Sequence, residues 1–183
     1  DWENREANLR YFRNRLAKLP EKSDLIVLPE MFTTGFTMAA RQLAEPMDGP
    51  TMTWMAEQAA RLGAVLTGSF IARENDHFFN RLIWMRPDGT YAHYDKRHLF
   101  SLSEEPRHYQ PGRRRIVVDL HDWKVLPLIC YDLRFPVWSR NTDSYDLLLY
   151  VANWPERRSH AWRSLLTARA IENQVYTVGL NRV

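Results

Sequence analysis

Two hydrophobic periods alternate along this chain. Leu9, Phe12, Leu16 and Leu19 recur at helical spacing among Arg, Asn and Lys, which predicts an amphipathic helix over residues 3–19 that stops at Pro20. The apolar run DLIVLPE (24–30), broken by Pro29, predicts a short strand covered on both faces. Residues 50–62 read as helix, with Pro50 at the start and Gly63 past the end, and AVLTGSFI (64–71) reads as the next buried strand. RLIWMR and TYAHYD flank Pro87-Asp88-Gly89 and predict an antiparallel hairpin. A second hairpin joins RRIVVDL (114–120) to KVLPLIC (124–130) across His121-Asp122-Trp123. Beyond it come a short helix over Pro136–Arg140, an apolar strand DLLLYVANW (146–154), a long helix over 159–174 capped by Ser159, and a final strand VYTVGLNRV (175–183). Helices alternating with buried strands predict a layered α/β fold with mixed sheets.

Composition narrows the class. The 183 residues suit one domain rather than two, so a single domain over 1–183 is expected. An apolar share of 45% with 26% charged residues excludes a disordered chain, and no repeat or low-complexity tract interrupts it. The net charge is only +3, and the densest basic cluster, Arg113-Arg114-Arg115, follows Pro111-Gly112 as a solvated turn, so no nucleic-acid partner is expected. No apolar stretch approaches the roughly 20 residues that a bilayer span needs, so no membrane partner is expected either. A single cysteine cannot form an internal disulfide, which points to the cytoplasm. None of the six His stands at metal-ligand spacing with another His or the Cys, and HExxH, Walker and GxSxG motifs are absent. Neither a metal nor a cofactor is expected. The chain opens on Asp1-Trp2-Glu3-Asn4 without an initiator Met, as expected of part of a longer polypeptide.

Three reactive side chains share one kind of place. Glu30 ends the strand LIVLPE, Lys96 follows TYAHYD, and Cys130 ends VLPLIC. Ligands of α/β sheets usually bind beyond the carboxyl ends of strands. A carboxylate, an ammonium and a thiol meeting there would supply a base, an electrostatic stabiliser and a nucleophile, which suffices for acyl transfer. Each also has an ordinary reading: Cys130 as a small buried hydrophobe, Glu30 as preparation for a helix, Lys96 as one of a solvated Asp-Lys-Arg cluster. Spacing alone leaves both readings open.

The surrounding segments add to this. LPEMFTTGF, YDKRHLF and CYDLRFP resemble the three signature segments of the nitrilase superfamily of carbon–nitrogen hydrolases, in the order Glu, Lys, Cys, and the elements between them span nearly the whole chain. HYDKRHLF, CYDLRFPVWSR, YVANWP and TARAIENQ resemble most the omega-amidase branch, which hydrolyses the terminal amide of 2-oxo acid monoamides such as 2-oxoglutaramate and 2-oxosuccinamate. The resemblance implies a four-layer αββα sandwich with mixed sheets. Relative to that pattern the chain lacks the first strand and the C-terminal segment, so the domain is expected to be incomplete at both ends. It also implies a homodimer or larger homo-oligomer, a small-molecule amide as substrate, and a thioester intermediate.

Carried over residue by residue, the resemblance makes Cys130 the nucleophile and Glu30 its general base. Lys96 and the backbone N–H of Tyr131 receive the developing oxyanion. Glu105 is the second glutamate, holding Lys96, with neighbouring Glu104 as a rival claimant. A substrate carboxylate calls for a further cation, and Arg134 and Arg158 are the candidates. Arg134 alternatively pairs with Asp132 to hold the turn after Cys130, and both arginines could instead form surface ion pairs. Asn153 and Trp154 end another strand and line the same pocket, or Trp154 is plain core. His98 is assigned as a structural partner near Lys96 rather than a base. Rival readings keep the thiol chemistry for a nitrile, an N-carbamoyl amine or an aliphatic amide, or make the chain a non-catalytic scaffold of the same fold.

Overall fold

A computed structural model describes residues 1–19 and 22–182. Helix α1 (Arg5–Leu16) begins where the Asn4 side chain accepts from the Ala7 N–H at 3.0 Å. It ends three residues before the predicted limit, because Lys18 and Leu19 bond back to Arg15 and Leu16 in tighter i→i−3 turns. The predicted stop at Pro20 lies outside the described residues. Strand β1 (Leu25–Val27) follows; it is half-buried rather than covered on both faces, because it forms the edge of its sheet. After the single turn of α2 (Ala40–Leu43), helix α3 (Pro50–Leu62) has the predicted limits, with Pro50 at its first position and Gly63 at φ +62° closing it.

Strands β2 (Val65–Glu74) and β3 (His77–Met85) run longer than their apolar cores suggest, joined by a two-residue turn at Asn75 and Asp76, both at positive φ. The sequence reading missed that turn. β4 (Tyr91–Asp95) completes the predicted hairpin, with the Asp88 side chain accepting from the Thr90 N–H. The one-turn helix α4 (Glu105–His108) precedes β5 (Val118–Leu120) and β6 (Trp123–Ile129). Trp123 belongs to β6 rather than to the turn, since His121 at φ +52° with Asp122 closes a two-residue connection. A 3-10 turn over Cys130–Arg134 and the short α5 (Pro136–Ser139) lead to β7 (Leu147–Ala152). Helix α6 (Ser159–Asn173) and β8 (Tyr176–Asn181) end the described fold. Ser159 is the first helical residue and not the cap: the helix grows out of a 3-10 turn over Glu156–Arg158, whose backbone already receives the Ser159 N–H.

The first sheet has the order β1-β2-β3-β4, with β1 parallel to β2 and the rest antiparallel. The second has the order β5-β6-β7-β8, with β5 antiparallel to β6 and the others parallel. Both are mixed. Leu16 of α1 and Trp54, Met55 and Ala59 of α3 pack on Phe70, Ile83 and Met85 of the first sheet. Val65 and Trp84 meet Val125 and Leu149 between the sheets. Trp162 and Leu166 of α6 cover the second sheet, at a separation that only glycine permits at position 179, where a Cβ would lie 2.6 Å from a Leu166 methyl. Helix, sheet, sheet and helix thus form the αββα sandwich. This topology brings the carboxyl ends of β1 and β4 to one rim, where they meet those of β6, β7 and β8.

Candidate active site

Glu30 sits three residues past β1 in a loop pinned to β2: the Met31 N–H donates to Ser69 Oγ at 2.8 Å, and the Phe32 N–H to the Ser69 carbonyl at 3.0 Å. Met31 has φ +43°, a conformation that an L-residue adopts only when its surroundings enforce it. Lys96 leaves β4 with its N–H bonded to the Asn80 carbonyl of β3, 3.0 Å away. Glu105 enters from α4, where the Phe100 N–H also donates to its carboxylate.

The three side chains meet. Lys96 Nζ lies 2.9 Å from Glu30 Oε1 and 3.0 Å from both Glu105 oxygens. Exposure is 0% for both glutamates and 1% for Lys96, so solvent does not screen this cluster. Burial alone would lower the Lys96 ammonium, but Glu105 and Glu30 outweigh it and hold the group well above the ordinary lysine range. Glu105 is pushed up by burial and by Glu30, against the pull of Lys96. The Asn153 N–H donates to Glu30 Oε2 at 2.8 Å and its side-chain amide to the Glu30 carbonyl at 2.6 Å, tying the end of β7 to the end of β1. Glu104 is excluded from the cluster, because its carboxylate pairs with Arg107 on the surface.

Cys130 is not the last residue of its strand. It opens the 3-10 turn at φ +44°, so the chain reverses there and the side chain projects at the rim. Burial first, and then the negative charge of Glu30, push the thiol well above its ordinary range, while Lys96 pulls the other way. These surroundings favour the neutral thiol over the thiolate. Tyr131 follows in the first positions of the turn, where N–H groups lack partners within it.

The turn is held by Asp132, although not through Arg134 as expected. The buried Asp132 carboxylate accepts from the Ile129 N–H at 3.1 Å, the Tyr94 hydroxyl at 2.7 Å and the His98 N–H at 2.9 Å, with His98 Nδ1 at 2.8 Å. Tyr94 of β4, His98 just beyond it and Ile129 of β6 occupy the carboxylate without Arg134. His98, stacked on Phe135 with ring centroids 3.7 Å apart, is a structural partner in this network. Arg169 of α6 donates to the Leu133 carbonyl at 2.7 Å and braces the same turn from the other side.

Glu30, Lys96, Cys130, Tyr131, Arg134, Asn153, Trp154 and Arg158 line one cavity; Glu105 lies behind it, in contact with Lys96. Arg134 stacks over Trp154 at 5.2 Å and Arg158 over Phe100 at 5.3 Å. Neither forms an ion pair among the described residues, so the surface-pair alternative fails: the aromatic faces hold both guanidiniums at the cavity wall. Trp154 is 6% exposed, and Asn181 fixes its backbone through bonds of 2.6 and 2.9 Å. Phe36, 5.2 Å from Lys96 Nζ, and Asn80 were missed. An asparagine between Phe79 and Arg81, inside the strand run FFNRLIW, was the available signal for Asn80. Among the described residues no group of His, Cys, Asp and Glu could hold a metal ion, and no helix is long and apolar enough to cross a membrane.

Two mixed sheets packed face to face between helices, with this cluster at their shared rim, define the nitrilase superfamily. The chain belongs to the carbon–nitrogen hydrolase family, whose profile matches residues 2–183, and is an enzyme of that family. It is 50% identical over 182 residues to the omega-amidase YafV of Yersinia enterocolitica, covering 100% of this chain and 70% of the relative. It is 34% identical over 171 residues to the 2-oxoglutaramate amidase of Bacillus subtilis, covering 91% of this chain and 66% of the relative. A crystal structure of a CN-hydrolase superfamily protein from Xanthomonas campestris, with an arsenic adduct in its active site, superposes with a TM-score of 0.96 at 48% identity, over 100% of this chain and 72% of the other.

Proposed function

We propose that this enzyme is an omega-amidase that releases ammonia from the terminal amide of 2-oxo dicarboxylic acid monoamides, 2-oxoglutaramate or 2-oxosuccinamate, through a thioester on Cys130. The observation that carries the reading is the buried Glu30–Lys96–Glu105 cluster beside the Cys130 thiol, at a cavity with two arginines on its wall. The likeness to amidases of this kind supports the substrate class.

Glu30 takes the thiol proton as Cys130 Sγ attacks the amide carbon, so no free thiolate has to accumulate. Charge moves to the carbonyl oxygen, which the Lys96 ammonium and the Tyr131 N–H stabilise. Collapse of the tetrahedral species breaks the C–N bond, and Glu30 returns the proton to the departing ammonia. A water then adds to the thioester while giving a proton to Glu30. The second collapse frees the acid and the thiol, which regains that proton. Glu105 stays behind Lys96 and keeps its charge in place.

Arg134 and Arg158 receive the carboxylate at the far end of the substrate. Their planar forks suit bidentate binding, and stacking on Trp154 and Phe100 limits the freedom lost on binding. Arg134→Ala or Arg158→Ala is expected to raise KM for 2-oxoglutaramate about 10- to 100-fold, the worth of a charge-assisted contact, with kcat little changed. Turnover of an uncharged aliphatic amide should be unaffected. Equal losses on both substrates would remove the arginines from carboxylate recognition.

The substrate class is tested by offering the full-length protein a panel of 2-oxoglutaramate, 2-oxosuccinamate, a nitrile, an N-carbamoyl amine and a simple amide, and measuring ammonia. Preference for the 2-oxo amides is the expected result. Turnover of the nitrile or carbamoyl compound with neither 2-oxo amide consumed would overturn the reading.

A further inference from the structure

Asn80 is buried in β3 at 0% exposure, directly beneath the charged cluster. Its side-chain amide donates to Glu30 Oε1 at 2.9 Å and reaches Glu105 Oε1 at 3.5 Å. Its backbone carbonyl accepts the Lys96 N–H at 3.0 Å. One residue thus touches all three members of the cluster, yet it does not line the cavity. Its own Oδ1 finds no donor among the described residues, so the amide is not fully satisfied where it stands. The orientation is fixed by chemistry: only the NH₂ face can approach two carboxylates.

We infer that Asn80 is a positioning residue for the hydrolysis, a neutral donor that keeps the Glu30 side chain aimed at the thiol while a second carboxylate stands beside it. The inference rests on the Cys130–Glu30 reading above. The cluster places two carboxylates against one ammonium in a site without solvent screening, so a second cation would compete with Lys96 for Glu105 and a third anion would add repulsion. An uncharged donor avoids both. The groups that face Glu30 are Lys96 from the end of β4, Glu105 from α4, Tyr109 just beyond α4, and Cys130 from the turn after β6. Among the described residues only Lys96 and Asn80 donate to Oε1, so loss of the amide leaves that oxygen with the lysine alone. The base is then less fixed in direction.

Asn80→Leu keeps the branching and neutrality of the side chain and removes the donor; Asn80→Ala removes it without adding bulk if leucine disturbs folding. Each full-length variant, with Asn80→Gln as the conservative control that keeps an amide donor, is compared with the unaltered enzyme in its melting temperature, in kcat and KM for the 2-oxo amide, and in the rate of Cys130 alkylation by iodoacetamide. The expected result for Asn80→Leu and Asn80→Ala is a drop of about 10- to 100-fold in kcat with KM little changed, with slower alkylation and a partial recovery of kcat in Asn80→Gln. A purely structural asparagine would lower the melting temperature and leave the kcat of the folded enzyme and the alkylation rate unchanged, and that outcome overturns the inference. Should Cys130→Ala remain active in the same assay, the catalytic reading itself fails; an inactive Cys130→Ala beside Asn80 variants of unchanged kcat rejects the role of Asn80 alone.

Discussion

Cys130→Ala is expected to lower amide turnover by about 10⁴-fold or more while leaving the fold intact. The size follows from the loss of covalent catalysis: in hydrolases whose nucleophile and base act as a unit, removal of the nucleophile leaves only the contribution of oxyanion stabilisation and binding. Cys130 is the chain's sole cysteine, so no neighbouring thiol can substitute. Stability should change little, because the side chain faces the cavity and alanine keeps the Cβ at the same positive φ. Ammonia release under saturating 2-oxoglutaramate, with circular dichroism as the control for folding, measures both parts. A variant retaining more than about one hundredth of the rate would mean that sulfur does not attack the substrate.

The second large effect belongs to Lys96 and strikes stability as well as rate. Its ammonium stands between two carboxylates with no exposed surface, and Lys96→Ala leaves them facing each other in the same dry site. Breaking one side of a buried pair typically costs about 3–5 kcal/mol, because the remaining charge is left uncompensated. Loss of an oxyanion donor alone costs about 10²–10³ in rate. Urea unfolding and kcat measured on the same preparation should both register the change. The two losses can be separated: in Lys96→Met/Glu105→Gln one of the unpaired charges is gone, so much of the stability should return while activity stays low. If the double variant regained activity together with stability, Lys96 would be a scaffold for Glu105 and not a participant in the chemistry.

Much of the fold was readable from local pattern. Pro50 and Gly63 bracket α3 because proline suits the first helical position and glycine tolerates the left-handed closing residue, both properties of the residues themselves. The Pro87-Asp88-Gly89 turn was legible for the same reason. The hairpin at Asn75-Asp76 escaped notice because its strands run past their apolar cores into polar, exposed ends, where alternation gives no signal. The Ser159 cap failed because the chain is already turning in a 3-10 helix over Glu156–Arg158, so Ser159 enters with helical geometry and its N–H bonded to the Glu156 carbonyl. Resemblance to a family singled out Glu30, Lys96, Cys130 and Glu105, but resemblance alone carries no partners. Asp132 pairs with Tyr94 and His98 from the other sheet, which adjacency to Arg134 in sequence could not show.

The sequence by itself determined the alternation of helices and strands, the turn residues, and which side chains have the chemistry to attack, to take a proton and to carry a positive charge. These depend on residue type and near neighbours. Tertiary structure alone decided that Lys96 sits between Glu30 and Glu105, that Asn80 bridges the same carboxylates, that burial and Glu30 push the Cys130 thiol up, and that Arg134 and Arg158 rest on aromatic faces. Each of those depends on groups far apart in the chain meeting without water, and both the strength of a charge interaction and the balance between two protonation states are set by that burial.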